Sequence, residues 1–409
     1  WADAIGVLIA SYMGGIAEFE EFVGEKIVFD YSNIRPAGSP LSSGAKAPGP
    51  DGLRRSMEKI EEILEESLSN TRETHLRPLD VYDIIMHAAD AVISGGVRRS
   101  ATIALFSPDD EEMATAKTGN WFIENPQRGR SNNSALLVRD KTSKRTFNKL
   151  MSWVKEYGEP GFVWAESTEM GFNPCVEIGL YPVDVETGKS GWQFCNLAEI
   201  NGKRANTPEK FYQACKAASI VGTLQAAYTS FPYVGENTER ITRREALLGV
   251  SITGMMDNPE VLFDPQIQRN GAKIVKDVNK EIAAIIGINP AARTTCVKPA
   301  GSTSCILGTA SGIHPHHAKR YFRRVQANIQ ENPVQHFKKI NPRAVETSVW
   351  DPNGVTEVIT FLCEVPIGAK TKNQIDASKL LESVKLTQQN WVRYGTNKEL
   401  CTQPWLSHN

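Results

Sequence analysis

Cysteine is scarce in this sequence, with seven in 409 residues. No two of Cys175, Cys195, Cys215, Cys296, Cys305, Cys363 and Cys401 form a CxxC. That excludes a secreted disulfide framework and a zinc ribbon and suits a reducing compartment, with the cytoplasm the expected location. Neither sign of charge is in surplus: 46 basic residues face 47 acidic ones, for a net charge of −1. Bulk electrostatic attraction to nucleic acid is therefore not favoured, and no direct nucleic-acid partner is expected. No run of about 18 apolar residues exists, so no transmembrane helix and no membrane partner are expected. Charge blocks and low-complexity tracts, the marks of disorder, are missing too. No signal peptide is expected. The first residue is Trp, and the final Ser-His-Asn carries no helix stop, so the sequence reads as an internal segment of a longer protein. What remains is ordinary: 41% hydrophobic and 23% charged, as in soluble domains. The chain is long enough for a sizeable core and for two or three domains or one large α/β unit.

Periodicity predicts an alternation of helices and strands. Helices are expected over 1–23, 52–69 (capped by Asp51), 78–93, 147–157, 208–229, 265–286 and 374–394, with a short one opening at Ser107-Pro108. Strands are expected over 26–32, 101–106, 161–165, 294–299, 321–327 and 355–365. The segment 34–52, rich in Pro, Gly and Ser, reads as a solvated linker. SGGVRRS, 94–100, reads as a glycine-hinged turn. This order argues for α/β layers or an α/β barrel. The one shift in texture, near 341–354, marks the join to a terminal βα unit.

Three segments carry chemistry. NPCVEIGL, 173–180, places an amide, a thiol and a carboxylate within five residues: Asn173, Cys175 and Glu177. In an extended stretch alternate side chains point the same way, so the three face one ligand. The carboxylate can act as a general base. The plainer reading is a buried structural cysteine beside a turn. FCNLAEIN, 194–201, brings Cys195, and the intervening glycine-bearing loop predicts a hairpin that draws Cys195 toward Cys175; two unrelated core cysteines are the alternative. KPAGSTSCILG, 298–308, is a strand running into hydroxyl residues and a helix start, which suits phosphate or is simply a capped helix. It lacks the lysine of a Walker loop. His314, His316 and His317 have the wrong spacing for two ligands on one helix face and no evident acidic partner, so no metal site is expected and they read as lining a loop at the site mouth.

Taken together, these segments resemble the ribonucleotide reductases, nearest to the monomeric, adenosylcobalamin-dependent (class II) triphosphate type. DYSNIRPAGSPLSSGAKAPGP, SGGVRRSATIAL, RSNNSALL, NPCVEI, FCNL, VKPAGSTSCILGTASGIHPHH and QQNWV fall in the family's order. The resemblance implies a ten-stranded α/β barrel with a central finger loop, incomplete at both ends. It implies effector-binding helices and loops over 1–100, a catalytic barrel over 101–340, and a C-terminal βα segment over 341–409 that faces cobalamin. The implied activity is reduction of ribonucleoside triphosphates to 2′-deoxyribonucleoside triphosphates for DNA synthesis. A diphosphate reductase and a non-catalytic nucleotide-binding piece of a split reductase are the alternatives.

By the same resemblance, Cys175 carries a thiyl radical that removes the ribose 3′-hydrogen, and Glu177 takes the 3′-hydroxyl proton. Asn173 hydrogen-bonds the ribose hydroxyls, and Cys195 is one of two reducing thiols. Asn133 and Ser134 lie near substrate. Pro299, Ala300, Gly301, Ser302, Thr303 and Ser304 hold its phosphates. Arg35 sits in an effector loop, and Gly95, Gly96, Arg98 and Arg99 form a loop coupling the effector base to the substrate base. The implied cofactor is adenosylcobalamin, although the sequence has no DxHxxG signature. The implied partners are a ribonucleotide substrate, a deoxynucleoside-triphosphate effector, a thioredoxin-like or dithiol reductant, and a companion chain supplying missing parts. The family's first reducing cysteine and its C-terminal cysteine pair have no counterpart here.

Overall fold

A computed structural model describes the chain outside residues 16, 43–46, 70–74, 92, 95–96, 99–100, 350–353, 355 and 398–409; for 69, 93–94 and 97–98 it describes the backbone alone. The main elements begin with helices α1 (Ala2–Tyr12), α2 (Asp51–Leu64) and α3 (Pro78–Ala91). A short pair of strands, β1 (Ile93–Ser94) and β2 (Val97–Arg98), leads to β3 (Thr102–Phe106), α4 (Glu111–Thr115), β4 (Ser131–Val138), α5 (Lys144–Tyr157) and β5 (Gly161–Ala165). Next come β6 (Gly171–Phe172), β7 (Gly179–Leu180), β8 (Leu197–Asn201), α6 (Pro208–Ala226), α7 (Gly235–Glu245) and β9 (Gly249–Thr253). After them follow α8 (Pro265–Ile286), α9 (Gly301–Leu307), β10 (Arg320–Asn328), α10 (Asn332–Ile340), β11 (Val345–Thr347), β12 (Thr356–Glu364) and α11 (Ala377–Thr387). The architecture is mixed α/β, as the alternation predicts. The described strands form sheets of two and three members. No described helix is long and apolar enough to cross a membrane.

The chain divides into two compact units, Trp1–Trp164 with Phe322–Phe361, and Ala165–Tyr321 with Leu362–Asn409. In the first, β3 runs parallel to β4 from Thr102↔Ser131 to Phe106↔Ala135, and Tyr82, Met86, Phe106, Leu137 and Leu150 pack beneath. In the second, β8 and β9 run parallel. Every residue of β9 is buried, as expected of a parallel strand covered on both faces. Thr207 caps α6 by accepting from the Lys210 N–H, with Pro208 at the first position, and Asp264 does the same for α8 through Gln266 and Ile267. Helix α6 can lie close on β9 only because residue 222 is glycine: a Cβ there would fall 1.8 Å from Leu248 Cδ1.

The tail closes this core. Trp391 is fully buried, its ring 5.7 Å from that of Phe211, and its Nε1–H donates to the Cys296 carbonyl at 3.1 Å. Trp391→Ala should therefore cost about 3–5 kcal/mol, measured by urea unfolding. A loss well under ~1 kcal/mol would show that the tail is not part of the core.

Several elements differ from the sequence reading. The first helix stops at Tyr12 because Gly14 and Gly15 turn to positive φ, +24° and +82°. Residues 26–32 form no strand: Asp30 accepts from the Ser32 N–H and Oγ–H, a local turn that competes with pairing. Asp51 is the first residue of α2 rather than its cap, and its carboxylate pairs with Arg54 at 3.3 Å. Pro108 lies in a turn, and α4 starts at Glu111 under an Asp110 cap. The terminal helix gives way after Thr387 to a wider turn, Gln388–Val392. Residues 294–299 add only a short edge to β9, with Val250 N–H donating to Thr294 and Cys296 N–H to Val250. The ladder ends there because Lys298 N–H turns to Ser251 Oγ, at 2.9 Å, and Pro299 has no N–H to offer. Helix α7 and strand β9 have no counterpart in the sequence reading.

Candidate active site

The site grows from the loop between β6 and β7, which pair antiparallel through Gly171↔Leu180 and Phe172↔Gly179. Asn173 ties the loop across its base: its Oδ1 accepts from Ile178 N–H at 3.0 Å, and its carbonyl accepts from Val176 N–H at 2.8 Å. Val176 adopts φ +65°, which is strained for a β-branched residue. The loop is thus a turn and not an extended stretch, so alternation does not put three side chains on one face. The left-handed residue parts them instead. Cys175 is exposed, Asn173 is buried, and the Glu177 side chain is wholly buried.

Glu177 meets Lys298, whose Nζ lies 2.8 Å from Oε1. The other carboxylate oxygen, Oε2, is buried with no protein partner. Burial works against the Lys298 ammonium, but Glu177, joined by Cys175 and Glu199, outweighs it and raises the lysine pKa. Cys195 enters the same field through the predicted hairpin, which forms with Gly191 N–H donating to Pro182 and Asp184 N–H to Lys189. Burial, then the Glu177 carboxylate, then Cys175 push its thiol up to about 11, against the pull of Lys298. Cys195 should accordingly alkylate far more slowly than an ordinary thiol at pH 8, with the rate still climbing toward pH 11. A reactivity plateau near pH 9, read by mass spectrometry of iodoacetamide adducts, would contradict the burial.

Three residues to which the sequence reading gave no role complete the cluster. Lys298 is its central cation. Glu199 is lifted in pKa by burial, opposed by Lys298 and by a Thr303 hydrogen bond, and its Oε2 is buried without a partner. Cys296 is fully buried, and burial raises its thiol well above the ordinary value. Period-two spacing from Cys195 through Leu197 was a signal for Glu199. Lys298 and Cys296 come from a segment more than a hundred residues downstream of Glu177, and only the fold brings them there.

The turn expected to hold phosphate follows Lys298 directly. Ala300 is buried at φ +53° and opens α9 with no side-chain cap. Pro299, Gly301 and Ser302 are exposed. The Thr303 hydroxyl serves Glu199, and Ser304 is buried, donating to the Gly301 carbonyl at 3.0 Å. The second unit therefore gathers Asn173, Cys175, Glu177 and Cys195 with the start of this turn. His316 does not line a loop mouth: it is buried, with Nε2 hydrogen-bonded to Asp257 Oδ1, the acidic partner the sequence did not disclose.

The remaining predicted residues belong to the first unit. Asn133 and Ser134 are buried on β4. Asn133 Oδ1 accepts from Tyr82 at 3.0 Å and Ser131 at 2.6 Å, while its Nδ2 is buried without a partner. Arg35 Nη1 donates to the Pro40 carbonyl at 3.4 Å, and Gly38 N–H bonds back to the Ala47 carbonyl, so residues 38 and 47 of the supposed linker meet. Arg98 is described by its backbone, paired with Ile93. Gly95, Gly96 and Arg99 lie outside the described residues.

No family model matches the chain. An adenosylcobalamin-dependent ribonucleoside-triphosphate reductase of Lactobacillus leichmannii is 25% identical over 426 residues, 92% of this chain and 54% of that protein. A probable enzyme of the same name from Dictyostelium discoideum is 23% identical over 432 residues, 98% of this chain and 52% of that protein. The chain is a homologue of the class II ribonucleotide reductases. The fold of this homologue agrees: a crystal structure of a B12-dependent (class II) ribonucleotide reductase superposes with a TM-score of 0.72 at 20% identity, covering 95% of this chain and 57% of that one. The homologue spans about half the length of the curated relatives it matches.

Proposed function

We propose that this chain is part of a reductase that converts ribonucleoside triphosphates to 2′-deoxyribonucleoside triphosphates through a thiyl radical on Cys175. The observation that carries the reading is the geometry at Glu177. One carboxylate oxygen is held by Lys298, and the other is buried and unpartnered beside an exposed thiol on a strained loop. An unpaired buried acceptor is costly unless a ligand donor completes it, and a sugar hydroxyl is such a donor. The thiyl takes the 3′-hydrogen atom, leaving a carbon radical and a thiol, while Glu177 Oε2 takes the 3′-hydroxyl proton. The 2′-hydroxyl then leaves as water. The two electrons required come from Cys195 and a second thiol: one thiol proton leaves with the hydroxyl as water, the other hydrogen goes to C2′, and the two sulfurs finish as a disulfide that an external dithiol restores. Cys175 returns its hydrogen atom to C3′ and Glu177 its proton to the 3′ oxygen, which regenerates the thiyl. Asn173 Nδ2, free of the loop-tying bond made by Oδ1, is the donor toward the ribose. The uncapped start of α9, from Ala300 through Ser304, receives the phosphates.

Side chains cannot start such a radical unaided. Adenosylcobalamin supplies a carbon-centred radical when its cobalt–carbon bond breaks homolytically. The residues present fit such a group: of the three clustered thiols only Cys175 is exposed, as a thiol must be to meet a bulky radical source. The segment 341–409 is the part proposed to face it. We further propose that the chain contributes to a ten-stranded barrel with residues 173–178 as its finger loop, and that 1–100, with Arg35, Gly95, Gly96, Arg98 and Arg99, bind the effector and relay base choice.

The test is an assay of the whole protein, or of this chain with a companion supplying the rest, with and without adenosylcobalamin on triphosphate and diphosphate substrates. Deoxynucleotide formation that needs the cofactor and favours triphosphates is expected. Cofactor-independent turnover, or none on any ribonucleotide, would overturn the reading.

A further inference from the structure

We propose that the cleft between α8 and residues 389–397 binds a nucleoside polyphosphate at a place distinct from the Cys175 cluster. The cleft encloses about 860 Å³, within the ~300–1,000 Å³ usual for small-molecule sites. None of its lining residues belongs to the cluster. Its walls carry cations: Lys276 and Lys280, one turn apart on the same face of α8, and Arg393 from the tail. The one lining carboxylate, Asp277, is already paired with Lys273 at 2.5 Å. Lys280 and Arg393 are exposed and have no salt-bridge partner among the described residues. A chain of net charge −1 thus gathers three positive side chains around one concavity, the arrangement that recruits a polyanion.

The aromatic part of the ligand has a place as well. Tyr394 lines the same cleft and is 48% exposed. The Arg269 guanidinium lies 5.8 Å from its ring centroid and is pinned by Asn390 Oδ1 at 2.6 Å and Gln266 Oε1 at 3.0 Å. An exposed ring with a pinned cation beside it is a stacking platform for a planar base. Phosphates on the lysines and Arg393, with a base on Tyr394, use both halves of the cleft. This site does not depend on the reaction at Cys175.

Isothermal titration of the full chain with ATP, inorganic triphosphate and adenosine, at low and high salt, tests the proposal. Salt-sensitive ATP binding is expected, about tenfold weaker in the Lys280→Gln/Arg393→Gln variant. Both are exposed side chains without a salt-bridge partner among the described residues, so the variant should keep its fold, which circular dichroism verifies. Tyr394→Ala should weaken ATP by about tenfold and leave inorganic triphosphate unchanged. Nucleotide held elsewhere on the chain is untouched by these substitutions, so a loss belongs to the cleft. Unchanged ATP affinity in the double variant would overturn the proposal, as would inorganic triphosphate binding as tightly as ATP in both the parent and Tyr394→Ala.

Discussion

Replacing Cys175 by alanine is expected to abolish turnover and to stop hydrogen exchange at the substrate 3′ carbon, a loss on the order of 10³-fold or more. The expectation comes from the loop. Asn173 and Ile178 tie its ends together, Val176 is held in a left-handed conformation, and the thiol stands exposed between them. An exposed side chain on a tied turn contributes little to packing, so stability should change by no more than ~0.5 kcal/mol. The combination of lost chemistry with unchanged unfolding separates a reactive thiol from a structural one. Retained 3′ exchange in the whole protein, followed by release of tritium from labelled substrate, would remove Cys175 from the mechanism.

Changing Glu177 to glutamine should lower kcat by about 10²–10⁴-fold, the usual worth of a positioned base, with substrate affinity changed only a few-fold. The amide keeps the shape and loses the charge that holds the Lys298 ammonium. Because Glu177 is what outweighs burial at Lys298, the lysine pKa should fall in the variant. Lys298→Met is the complementary change. It leaves a wholly buried carboxylate without its cation, which costs roughly 3–5 kcal/mol for a buried pair broken on one side, read by urea unfolding. A double-mutant cycle that finds the two residues additive would show that they do not act as a unit.

Local signals were legible where they depend on neighbours in sequence. Thr207-Pro208 and Asp264-Pro265 announce α6 and α8, and the glycines of the 182–191 turn announce the hairpin that delivers Cys195. Val-Thr-Glu-Val-Ile-Thr announces β12. The signals failed where a local pattern was answered by a distant partner or by none. Residues 26–32 have strand composition but no ladder to join. His316 looked unpartnered because Asp257 lies 59 positions away.

By itself the sequence determined the α/β alternation, the helix start at Thr207-Pro208 and the turn of the 182–191 hairpin, and it put forward the residues at 173, 175, 177 and 195 as candidates, because propensity, capping and turn formation act over a few residues. Only the tertiary structure decided which charges those residues feel. It set Glu177 on Lys298, placed Glu199 and Cys296 in the same field, and buried the Glu177 side chain and Cys296 while leaving the Cys175 thiol in the open. Desolvation and Coulomb energy depend on separations in space, and no spacing along the chain encodes them.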